Sequence, residues 1–109
     1  MNQSEEYILE QASMRLLKGL NPLKIYLFGS RAKECSLPES DYDLMTVVAD
    51  SPLPRYRRAQ DAMRLLLGLD ASFDVIVMTW KEWSRDVRSG VSLPNQIILE
   101  GRLLHDSGA

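Results

Sequence analysis

Asp41 and Asp43 stand at i and i+2 in an apolar stretch, Asp41-Tyr42-Asp43-Leu44. In a β-strand such side chains point the same way, about 6–7 Å apart along the backbone. Two like charges on one strand face repel and gain nothing structurally, whereas a divalent cation gives them a reason to be together. Separated from Asp41 by ten residues comes Gly29-Ser30, directly after the apolar run Ile25-Tyr26-Leu27-Phe28. Glycine lets a phosphate approach the backbone closely, and serine adds a hydroxyl donor to the backbone N–H groups. A helix starting at Ser30 would add a favourable dipole for anions.

A third acid, Asp74, interrupts the β-branched run Phe73-Asp74-Val75-Ile76-Val77, where aspartate is a poor strand residue. Alone it reads as a strand-edge residue. With Asp41 and Asp43 it reads as the third carboxylate of a shared Mg²⁺ site, since Mg²⁺ takes hard oxygen ligands and completes its shell with water and phosphates. Two such ions would clamp the attacking and leaving oxygens of an in-line displacement.

The elements that must position these residues follow from periodicity and punctuation. Residues 4–20 read as a helix capped by Ser4, with Ile8, Leu9, Ala12, Leu16, Leu17 and Leu20 at helical spacing and Asn21-Pro22 as its stop. Residues 24–28 and 42–49 read as strands, the second apolar on both faces beyond the aspartates and so central in its sheet. Between them, residues 30–40 form a connection with a helical turn at 30–33. Residues 55–69 are the next helix, 73–78 the third strand and 80–88 a helix capped by Thr79. Leu93-Pro94 opens a last helix through Glu100, and residues 102–105 are short and extended. The expected fold class is α/β (α+β): one domain over residues 1–109, a small mixed sheet flanked by helices.

Composition sets outer bounds. A chain of 109 residues holds one modest core, and 45% hydrophobic with 26% charged residues is ordinary for a globular domain. A net charge of −2 argues against a general nucleic-acid binder. The single cysteine, Cys35, excludes an intramolecular disulfide and a cysteine-based zinc cluster. There is no apolar run of membrane-spanning length and no signal-peptide pattern at the start, so a cytoplasmic protein is expected.

Other residues have ordinary readings. Arg55, Arg57, Arg58 and Arg64 make a basic helix, read as a solvated face, although cations at a helix start require a compensating contact. Trp80 and Trp83 could stack a base but read as packing residues. His105, the lone histidine, reads as a surface residue, and Cys35 as a loop cysteine. Arg31 and Lys33 could touch phosphates or simply face solvent. The apolar residues of the last helix, Leu93, Ile97, Ile98 and Leu99, offer a surface to a second copy or a partner.

Phe28-Gly29-Ser30-Arg31-Ala32, Ser40-Asp41-Tyr42-Asp43-Leu44 and Glu100-Gly101-Arg102-Leu103-Leu104 resemble the motifs of the minimal nucleotidyltransferase branch of the DNA polymerase β-like superfamily. The resemblance covers nearly the whole chain. It implies catalytic metal ligands at Asp41, Asp43 and Asp74, and nucleotide binding at Gly29 and Ser30. It further implies Mg²⁺-dependent transfer of AMP, or another nucleoside monophosphate, from ATP or its relatives to a hydroxyl. Little of these 109 residues remains after the sheet and its helices, so the acceptor is expected to be shaped by another protein or a second subunit, and in this branch the usual partner is a small helical HEPN protein, often a toxin. The implied role is that of an antitoxin that adenylylates a tyrosine of that partner. Two further readings stay open: a non-catalytic subunit that neutralises a helical partner by contact, and a small-molecule, antibiotic-type nucleotidyltransferase. Homo-oligomerisation is left open too. Glu34 departs from the family, which often has a second glycine there.

Overall fold

A computed structural model describes residues 4–33 and 37–108. Glu34 and Cys35 therefore lie outside the described residues. Four helices and four strands follow in the order α1 (Glu5–Leu20), β1 (Lys24–Phe28), β2 (Tyr42–Val48), α2 (Arg55–Leu65), β3 (Phe73–Thr79), α3 (Trp80–Arg88), α4 (Leu93–Glu100) and β4 (Arg102–Asp106). The expected α/β class with a small mixed sheet is what forms.

The strands make one sheet in the order β3-β2-β1-β4. β1 pairs antiparallel with β2 and with β4, while β2 and β3 run parallel, joined through α2. β2 is thus an inner strand and, apart from Asp43, is buried along its length, as its two-sided apolar pattern predicts.

Alternation along the strands divides the core in two. Ile25, Leu27, Tyr42, Leu44, Val75 and Val77 face α1 and α2, where Ile8, Leu9, Ala12, Leu16, Ala62 and Leu66 close the layer. Tyr26, Met45, Val47 and Met78 face the other way, onto Trp83 of α3 and Ile97 of α4. Each such fully buried aliphatic side chain contributes about 1.5–3 kcal/mol. Asp43 and Asp74 alternate onto this second face, at the end of the sheet where β2 and β3 begin.

Local chemistry fixes the helix ends. Ser4 accepts from the Tyr7 N–H at 3.2 Å, and the two glutamates of the first turn suit the α1 N-terminus. α2 ends at Leu65 rather than at the predicted Leu69. The reason is Arg15, whose Nη1 donates to the Leu65 and Leu67 carbonyls at 3.3 and 2.6 Å and so satisfies the terminal acceptors from another helix. A chain of short turns through Leu66 and Leu67 then leads to Gly68. α3 begins with a full capping box between Thr79 and Glu82. Ser92 caps α4, and Asn95 Nδ2 donates back to the Asp86 and Val87 carbonyls at 3.1 Å, locking α4 to the end of α3. No helix among the described residues is long and apolar enough to cross a membrane.

Candidate functional site

β1 runs out at Phe28, whose partner in the antiparallel ladder is Asp43. The next residue, Gly29, has φ of 75°, in the left-handed region that costs other residues about 1–2 kcal/mol. A Cβ built on Gly29 would overlap Asp43 Oδ2 and come within 3.2 Å of its Cγ. Glycine is thus demanded twice, by its torsion and by the carboxylate lying against it. The described residues after it form a turn, with the Lys33 N–H donating to the Ser30 carbonyl at 3.2 Å, instead of the helix start envisaged at Ser30.

Asp41 is exposed just before β2, Asp43 is half-buried within it, and Asp74 is exposed on β3. In the parallel ladder Asp43 is the direct partner of Asp74. Neighbouring strands lie about 4.8 Å apart, so the two carboxylates share a face at close quarters. Burial pushes the Asp43 carboxyl above the usual aspartate range, and the charges of Asp74 and then Asp41 push it further. Both other acids therefore act on Asp43. As placed they do not close into a finished cage: among the described residues no group of three acidic, histidine or cysteine side chains is drawn together tightly enough to hold a metal ion. The donor set nevertheless suits Mg²⁺, being all oxygen, carboxylate-rich and partly open to water and phosphate.

Of the two readings of Arg31, the solvent-facing one is not what forms: its side chain is 9% exposed. Its Nε donates to the Ser40 carbonyl and its Nη2 to the Pro38 carbonyl, both at 2.9 Å. The guanidinium carbon sits 3.9 Å from the centre of the Tyr42 ring, and Nη1 lies 3.6 Å from Glu5 Oε2. Lys33 pairs with Glu100 at 3.0 Å. Two hollows border this region. One of about 210 Å³ adjoins Gly29, between Phe28, Lys33, Leu93, Gln96 and Ile97. A larger one, about 700 Å³, opens on the Arg31–Tyr42 side of β2, beside Ser40 and Ser72.

The basic helix needs one correction. Arg58 is not part of a solvated face: its side chain is 10% exposed, its Nη1 bonds Glu82 Oε1 at 2.7 Å, and its Nε donates to the Leu53 carbonyl at 2.7 Å. Arg55 also approaches Glu82, at 3.6 Å, which compensates the two cations near the α2 N-terminus. Burial acts to raise the Glu82 pKa, but Arg58 and the Thr79 N–H outweigh it and hold the carboxyl down to about 2. Trp83 packs in the core, stacked on Tyr26 with ring centres 5.5 Å apart, while Trp80 is exposed. His105 is half-buried on the edge strand β4. Ile97 is buried, whereas Leu93, Ile98 and Leu99 of α4 are exposed. Spacing gave no hint of the Arg31 or Arg58 contacts, although an arginine beside Gly29-Ser30 and a tyrosine between the aspartates were a faint signal for the first.

A family profile described as polymerase beta, nucleotidyltransferase, matches residues 10–107. No curated protein matches the chain. Among solved structures, a candidate nucleotidyltransferase from Sulfolobus solfataricus is similar at 19% identity and a TM-score of 0.62, over 94% of this chain and 84% of that one. A toxin–antitoxin MntA-HpeT structure with two Asp-to-Glu replacements two positions apart is similar at 22% identity and a TM-score of 0.64, over 91% and 73% of the two chains. At these identities the likeness is one of fold. A toxin–antitoxin structure with AMP-PNP is similar at 27% identity and a TM-score of 0.56, over 90% and 73%.

Proposed function

We infer the activity of this chain from the family to which it belongs, the polymerase beta nucleotidyltransferases. It transfers the AMP unit of ATP to a hydroxyl of a protein partner. The observation that carries this reading is the juxtaposition of Asp43, Asp74 and Gly29: two facing carboxylates with a glycine turn packed against one of them. Asp41, Asp43 and Asp74 would hold Mg²⁺, which when bound supplies positive charge to offset that developing on the transferring phosphate.

The remaining work falls to the chain itself. The backbone turn at Gly29 and the Ser30 hydroxyl receive the phosphates. Asp74, exposed on an edge strand, accepts the proton of the acceptor hydroxyl as its oxygen bonds to the α-phosphorus. The bond from that phosphorus to the bridging oxygen breaks, and pyrophosphate leaves with the electron pair. No covalent intermediate with the chain is required.

The acceptor is a tyrosine of a small helical toxin of HEPN type, and the chain acts as its antitoxin. Support comes from the toxin–antitoxin structures to which the chain is similar, one of them with AMP-PNP. The exposed apolar residues of α4, Leu99 at 84% and Ile98 at 47%, add a surface suited to a protein. Co-expression of the chain with a small helical toxin of HEPN type, followed by intact mass measurement, should show the partner heavier by AMP units. An unmodified partner, with cells protected equally well by an Asp43→Ala chain, would leave neutralisation by contact as the function.

A further inference from the structure

We propose that Arg31 is a positioning residue, a clamp that sets the spacing between the Gly29-Ser30 turn and the Asp41–Asp43 pair. The proposal rests on the nucleotide-transfer reading above and adds a residue to it. The two halves of the site are joined by residues 30–40, of which the described residues, 30–33 and 37–40, lie in neither helix nor strand. Arg31 is attached to the first half and bonded to the second. Its Nε and Nη2 seize the Ser40 and Pro38 carbonyls, both at 2.9 Å, immediately ahead of Asp41. Ser40 is itself held in a turn, with its N–H donating to the Leu37 carbonyl and its Oγ accepting from the Leu37 N–H, each at 3.0 Å.

The guanidinium carbon then lies over the Tyr42 ring, 3.9 Å from its centre, and Tyr42 is the residue between the two aspartates. Tyr42 belongs to the face of β2 opposite Asp43, so Arg31 touches the site only from behind. Its charge is engaged there, with Nη1 turned toward Glu5 at 3.6 Å. A planar fork that bonds two carbonyls while sitting over a ring is an arginine property that lysine, a point charge, does not share. Arg31 therefore acts on phosphate binding through geometry, without contacting a phosphate.

Arg31→Lys tests this with two readouts. Amide hydrogen exchange should quicken at least tenfold at both residues 29–33 and residues 40–43, with β3 and α3 unaffected. AMP-PNP affinity, measured by calorimetry, should fall at least tenfold in Mg²⁺ and less than threefold in EDTA, because the clamp matters when carboxylates and phosphates must share metal ions. Equal losses in both solutions would mean that Arg31 contacts phosphate directly, and would overturn the proposal. So would unchanged exchange, or faster exchange with unchanged affinity in Mg²⁺. If the unsubstituted chain binds no AMP-PNP in Mg²⁺, the transfer reading fails, and the exchange pattern alone decides the clamp. Should Arg31→Lys not fold, Arg31→Gln, which keeps an amide donor for the same carbonyls, is judged by the same two measurements.

Discussion

Asp43 faces Asp74 across the parallel β2–β3 ladder and Phe28 across the antiparallel β1–β2 ladder, so one carboxylate is shared between two strand pairs at the rim of the sheet. Like charges placed directly opposite one another on neighbouring strands destabilise by about 0.2–1 kcal/mol. Asp43→Asn should therefore raise stability by about 0.5 kcal/mol, or about 2–4 °C in Tm, while lowering AMP transfer by roughly 100-fold or more. Calorimetric melting and an intact-mass transfer assay check the two halves. A variant that loses both stability and activity would contradict the repulsion.

The same pair gives a pH dependence of defined sign. The Asp43 pKa is raised from 3.8 in the folded chain, so the folded state binds more protons than the unfolded one above that pH. Stability conferred by protonated Asp43 is present below the unfolded value and is lost as pH rises through the folded one. The advantage of Asp43→Asn over the unsubstituted chain should accordingly be larger at about pH 7 than at about pH 3, as read from paired melting curves.

Gly29→Ala should fail on two counts. The left-handed torsion costs about 1–2 kcal/mol, and the new methyl group overlaps the Asp43 carboxylate. The expected result is a fall in Tm of several degrees and a loss of nucleotide binding. A binding-competent Gly29→Ala chain would show that Asp43 moves aside freely.

Glu82→Gln should destabilise the chain by about 2 kcal/mol, since glutamine can keep the capping box but leaves the Arg58 guanidinium, 10% exposed, without its carboxylate. The Glu82 pKa is lowered from 4.5 to about 2. Its contribution is present above 4.5 and lost as pH falls toward about 2, the reverse of Asp43. Urea titrations of both chains at about pH 7 and about pH 2.5 should differ clearly in the first case and much less in the second. Nucleotide transfer per folded molecule should not change.

Metal removal supplies a further measurement. Mg²⁺ with ATP at about 100 times its Kd should stabilise the chain by about 2.7 kcal/mol, and EDTA should abolish most of that gain. Asp74→Asn should reduce both the gain and the transfer rate. A variant that transfers at the full rate with Mg²⁺ and ATP saturating would deny Asp74 its roles as ligand and base.

What was legible in the chain was whatever depends on backbone periodicity. The two-residue repeat aligned Asp43 with its strand, a third apolar run carried Asp74, and a glycine after Phe28 marked the turn. Long side chains that bond distant backbone were not legible. Arg31 satisfies Ser40 and Pro38 and approaches Glu5, and Arg58 finds Glu82 on another helix. Neither pairing leaves a periodic trace. The end of α2 escaped for the same reason, because the apolar pattern continues through Leu66 and Leu69 while Arg15 of α1 terminates the helix from outside.

β4 covers the outer side of β1, but β3 closes the other side of the sheet with no strand beyond it among the described residues. Asp74 therefore stands on the threshold of the domain, where a visiting hydroxyl can come alongside without parting any strands. On the proposed reading, specificity for the visitor can then be rewritten on the visitor, by whichever protein learns to lean its hydroxyl over that rim, while the sheet and its carboxylates stay as they are.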